Sequence, residues 1–213
     1  MDKFYFVLGN EKAQAFKNMI NSFDEFLKLN FKNEVTQGQR IMKFIYVLNM
    51  NGCKLDTSWI FNLQKDKEAQ ERFEKSGMRK EIWIKINENY SDFSDQEKDL
   101  LLTVYTADFK EKVIPLVKSD SGIILDNNSR KTYEDYFHFN SKGLFLKGLA
   151  AIQDQDTLIR DYVEAKNIAG DTSVLLLLGG LNQFDEKTLE KPYIKMIIVA
   201  EIYINLLEKY IKK

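Results

Sequence analysis

Residues 192–211 read PYIKMIIVAEIYINLLEKYI, and the reading of this stretch decides the fold. Pro192 suits the first turn of a helix, because the amide it lacks is one that a helix start leaves unpaired anyway. The tract from Tyr193 to Ile211 is the most apolar in the chain, yet Lys195, Glu201, Asn205, Glu208 and Lys209 interrupt it. Ionisable groups at bilayer depth are costly, so the tract reads as a buried helix and not as a membrane span. Glu201, Asn205, Glu208 and Lys212 fall four, three and four residues apart, which predicts a narrow wet stripe along an otherwise buried rod. Such a rod needs other helices around it. The expectation is an all-α, or nearly all-α, multi-helix bundle with this helix at its centre.

Working outward, the rest of the chain supplies those partners. Phe16, Ile20, Phe23 and Leu27 recur at helical spacing, with Met19 and Phe26 beside them. Thr36-Gln37-Gly38-Gln39 is a capping-box pattern that opens a helix carrying Ile41, Phe44, Ile45 and Leu48, and Asn51-Gly52 ends it. Asp56-Thr57-Ser58 predicts the start of a third helix with Trp59, Ile60, Leu63 and Phe73, closed by Ser76-Gly77. Its charged half holds Glu68 with Arg72 and Glu71 with Lys75, each four apart in the favourable order. Residues 81–86 alternate like a strand but sit among helices, and are read as helix. A further helix over 95–118 follows from Ser94-Asp95-Gln96-Glu97, with Leu101, Leu102, Val104, Tyr105, Phe109, Val113 and Leu116 on one face and Pro115 near its end.

Residues 119–140 are the least regular, and a small β-hairpin is expected around 122–139. Gly122 to Leu125 would form one strand and Thr132 to Phe139 the other, across Asp126-Asn127-Asn128-Ser129. Beyond it, Asn140 or Ser141 caps a helix through Leu144 and Leu149, and Asp156-Thr157 opens another that ends at Gly170. Thr172 or Ser173 caps a short apolar one at Val174 to Leu178. At the usual helix length of ~10–14 residues the chain holds about eight to ten helices. Residues 1–213 read as one helical unit, with two lobes, 1–118 and 140–213, as a further division about the segment 119–139.

Charge excludes more than it assigns. Thirty-one basic side chains face 32 acidic ones. No segment carries the basic excess that phosphate neutralisation needs, so nucleic-acid binding draws no support from bulk charge. Cys53 is the only cysteine, which rules out an internal disulfide and a cysteine-based zinc cluster. His138 is the only histidine, which rules out sites built on two or three. The first residues lack the pattern of a signal peptide, so a cytoplasmic location is the expectation. No cofactor and no metal site is expected.

The chemistry that remains is sparse. Gly179-Gly180 lacks the spaced glycines and Gly-Lys ending of a phosphate loop, and reads as a helix terminus. Asp154 and Asp156, Asp92 and Asp95, and Glu134 and Asp135 lie beside helix starts, where carboxylates satisfy free amides. Asp161 and Glu164, near Arg160 and Lys166, read as a solvated face. The aromatic run 133–139 is the most unusual, and Arg130, Lys131, Tyr133, Tyr136 and His138 are the candidate interaction residues, tyrosines being amphipathic anchors at interfaces. The expected function is that of a non-catalytic adaptor or complex subunit with a protein partner. Two rivals stand beside it: a nucleic-acid-associated winged-helix protein, and a small-ligand or hydrolytic enzyme using buried carboxylates.

Overall fold

The computed structural model describes residues 1–52, 59, 62, 67–85, 103–105, 111–113, 117–119, 122–124, 137–170 and 174–211. These residues are mainly α-helical. The helices are α1 (Asp2–Leu8), α2 (Asn10–Asn30), α3 (Gln37–Met50), α4 (Lys67–Lys75), α5 (Leu144–Ala150), α6 (Thr157–Ala169), α7 (Val174–Leu181), α8 (Glu186–Leu189), α9 (Pro192–Ile198) and α10 (Ile204–Ile211). A π turn, Val199–Tyr203, joins α9 to α10, so 192–211 is one continuous helical rod.

The rod lies in the core because its side chains leave it no other place. Ile194, Met196, Ile197, Ile198, Val199, Ile202, Leu206 and Leu207 are all buried. The Tyr203 ring packs, tilted, at 5.0 Å from Phe23 and 5.5 Å from Phe26, and its hydroxyl lies 3.0 Å from the Ser22 hydroxyl. From α2 the aromatic packing continues to Phe44 of α3 and to Trp59. On the other side Phe4 of α1 meets Phe16 and Phe145, both at 5.9 Å. A Cβ on Gly148 of α5 would sit 2.7 Å from the Phe4 ring, so this glycine is what lets α1 and α5 approach.

The ends of the helices follow local chemistry. Thr36 and Gln39 form the reciprocal capping box at the start of α3. Gly52, Gly77 and Gly170 adopt the positive φ that follows a helix. The Asp156 carboxylate accepts from the Leu158 amide at 2.9 Å and starts α6. The cap of α5 differs from expectation. Asn140 turns back, donating to the Lys80 carbonyl at 2.7 Å, and the Leu144 amide is met by the Glu81 carboxylate at 2.9 Å.

Strands form within both expected segments, 122–125 and 132–139, but also where helix was expected, and their pairing differs. Within 81–86, Trp83–Lys85 is a strand, β1, preceded by a 3-10 turn at Arg79–Glu81. Within 95–118, β2 (Thr103–Tyr105), β3 (Glu111–Val113) and β4 (Val117–Ser119) replace parts of the expected helix. Their β-branched threonine and valines fit a pleated surface, and the apolar spacing that suggested a helix does not exclude one. The hairpin also pairs differently. β5 (Gly122–Ile124) pairs with the preceding β4, while β6 (Phe137–Phe139) lies between β1 and β2 in the order β1-β6-β2-β3. A strand two residues away closes a hairpin at a somewhat smaller entropy cost than one across a dozen residues, and two-residue loops are the commonest hairpin connection.

Candidate interaction surface and buried charge pair

One outward face of the bundle carries apolar side chains where solvent favours polar ones. The core side of α3 is Ile41, Phe44, Ile45 and Leu48. Its opposite side is a row at four-residue spacing, Met42, Tyr46 and Met50, of which Met50 is 67% exposed. Isolated exposed apolar residues are ordinary, but a row along one helix makes a continuous stripe. Lys43 lies on the same side, its ammonium 5.4 Å above the Tyr46 ring. The neighbouring helix α7, VLLLLGGL, has no charge at all; Val174, Leu178 and Leu181 turn inward, while Leu175 and Leu176 face out, Leu176 at 71%.

The start of α3 is fixed by α8. The Glu186 carboxylate accepts from the Thr36 hydroxyl and, at 3.3 Å, from the Gln39 amide, while Glu190 accepts from the Gly38 backbone amide at 3.0 Å. Gly38 is required there, because a Cβ would lie 2.5 Å from the Glu186 carbonyl oxygen. Asp24 of α2 takes Gln37 at 2.7 Å and the Lys195 ammonium at 2.9 Å. These three carboxylates beside the start of α3 are therefore engaged in holding it.

The second feature is inside. Lys166 of α6 and Glu201 of the π turn are 2% and 1% exposed and form an ion pair at 2.6 Å. The Tyr162 hydroxyl donates to the same carboxylate, and the Lys166 ammonium sits 4.2 Å over the Phe139 ring of β6. Trp83 of β1 donates its indole N–H to the Ala200 carbonyl at 2.7 Å. The π turn thus receives α6 at Glu201 and β1 at Ala200 within one turn of helix, while β6 packs on Lys166 of α6.

Two expectations are corrected here. Glu201 does not lie on a wet stripe, and Lys166 does not belong to the solvated face of Asp161 and Glu164. Lys166 follows Ile159 and Val163 at spacings of four and three, so α6 turns it inward, and the opposite charge of Glu201 makes burial of each tolerable. That spacing was visible in the sequence; the pairing partner, 35 residues away, was not.

At the surface, a second pair joins the starts of two helices. Lys191, which precedes α9, donates to Asp156 at 2.7 Å. That contact above all, with the Leu158 amide, holds the Asp156 carboxyl at about 2, below the ordinary carboxylate range.

Of the residues singled out from sequence, Arg130, Lys131, Tyr133 and Tyr136 lie outside the described residues, as do Cys53, Asp92, Asp95, Glu134 and Asp135. His138 is the middle residue of β6, opposite Ile84 of β1. The row Met42, Tyr46 and Met50 was not singled out. Its signal was present: two methionines and a tyrosine occupy the positions that a helix with the Ile41, Phe44, Ile45 and Leu48 core gives to solvent. Among the described residues no group of three or more histidine, cysteine or acidic side chains could hold a metal ion, and no helix is long and apolar enough to cross a membrane. Comparison with protein-family models, curated proteins and solved structures finds no match to this chain.

Proposed function

We propose that the chain is a non-catalytic helical adaptor or subunit of a multiprotein complex, acting through protein–protein contacts at the outward side of α3. The observation that carries this reading is the row Met42, Tyr46 and Met50, presented on a helix whose opposite side is locked into the core. Methionine adapts its shape to a partner, and tyrosine offers a large amphipathic contact at low entropic cost. A rigid helix is the right support, since binding then orders only the side chains. The segment 130–139, with Arg130, Lys131, Tyr133, Tyr136 and His138, belongs to the same proposal as a second contact region.

The test is affinity capture of the tagged full chain from its native cells, beside a variant carrying Met42→Glu, Tyr46→Glu and Met50→Glu. Because these side chains face solvent, the variant keeps the helical circular-dichroism spectrum and cooperative melt of the parent. The proposal expects one or more proteins captured stoichiometrically by the parent and lost with the variant. Equal capture by both, or none by either, overturns it.

A further inference from the structure

We infer that the seam between α6 and the π turn is where this fold opens locally, below the free energy of global unfolding, and that the Lys166–Glu201 pair sets that opening. Among the described residues the pair is the one point at which α6 meets the rod through two almost wholly buried charges, the Asp156–Lys191 pair at the helix starts being more exposed. Elsewhere α6 contributes Ile159 and Val163 to the core.

The two kinds of contact respond oppositely to water. Opening an apolar seam only exposes hydrocarbon, which is unfavourable throughout. Opening a charged seam loses the attraction between Lys166 and Glu201 but rehydrates both, and the recovered solvation offsets much of what is lost. A buried ion pair is consequently a weaker closure than an apolar pair of the same volume. Three further contacts share this position. The Tyr162 hydroxyl donates to Glu201, Lys166 lies over Phe139 of β6, and Trp83 of β1 holds the Ala200 carbonyl. Separation of α6 therefore removes one of the holds on the π turn and the Lys166 contact on β6 in the same step, whereas Tyr203 of the turn stays packed on α2, and α2 and α3 stay bound through Phe23, Phe26 and Phe44.

Native-state hydrogen exchange, followed across low denaturant concentrations on the intact chain, tests this directly. In the wild type the interior amides of α6 exchange about tenfold or more faster than those of α2 and α3, with a shallow denaturant dependence. The paired replacement Lys166→Met with Glu201→Leu slows α6 exchange toward the rate of α3. Wild-type α6 amides that exchange only with global unfolding overturn the inference, even should the double variant not fold. So does a folded double variant whose α6 exchange, relative to α3, is unchanged.

Discussion

Lys166 and Glu201 show how much a single residue's surroundings decide its role. Each is unremarkable as a letter in the sequence, yet together they are the best-sealed charges among the described residues. Removing one charge leaves the other buried and unpaired, which costs ~3–5 kcal/mol, whereas replacing both with apolar groups is about neutral or stabilising. Chemical denaturation should therefore rank Lys166→Met and Glu201→Leu as strongly destabilised, with the double variant restored to the parent's stability or above. Additive losses in the double variant would mean that the two side chains do not act as a pair.

Asp156 belongs to the same scale but faces water. Its carboxyl is held at about 2, against about 3.9 in an unfolded chain. A carboxyl depressed on folding contributes stability that is fully present above the unfolded value and is lost as pH falls through the folded one. The stability difference between the parent and Asp156→Asn should therefore shrink between pH of about 4 and about 2. Urea titrations across that range read it, and a difference that stays constant there contradicts the Asp156–Lys191 contact.

At the scale of elements, what was legible in the sequence was what local chemistry determines. The Thr36–Gln39 capping box, the Asp156 cap, the inward row of α3 and the rod 192–211 each follow from spacings of three or four and from capping residues. What escaped is set by distant partners. Nothing near Gly38 announces that Glu186 and Glu190, some 150 residues on, will bond to the start of α3. Nothing within 95–118 announces strand pairing, because a broad apolar face serves a buried strand as well as a helix. The π turn was hidden for the same reason, since it is fixed by Lys166 and Trp83 from outside the rod. The close approach at Gly38 gives a sharp test. A Cβ there meets both the Glu186 side chain and its carbonyl, so Gly38→Ala must displace α8 and should cost ~1–3 kcal/mol despite alanine's better helix propensity. A Gly38→Ala variant as stable as the parent would show that α8 does not pack there.

At the scale of the whole molecule, the apolar residues sort into two populations. One is a continuous core that runs from Phe4 of α1 to Leu207 of α10. The other is exposed: Phe6, Leu29, Val35 and Ile168 stand singly on other parts of the surface, whereas Met42, Tyr46 and Met50 of α3 and Leu175 and Leu176 of α7 lie on two neighbouring helices. A bundle closed on so large a core gains nothing in stability from Met50 or Leu176 at the surface, and that is why a partner is the reading they support. The most direct test places a photo-reactive amino acid at position 46, at position 50 and, as a control away from α3 and α7, at the exposed Glu164 of α6. Irradiation in native cells should give a discrete cross-linked protein from positions 46 and 50 and none from 164. No adduct at 46 and 50, or the same adducts at all three positions, contradicts the account.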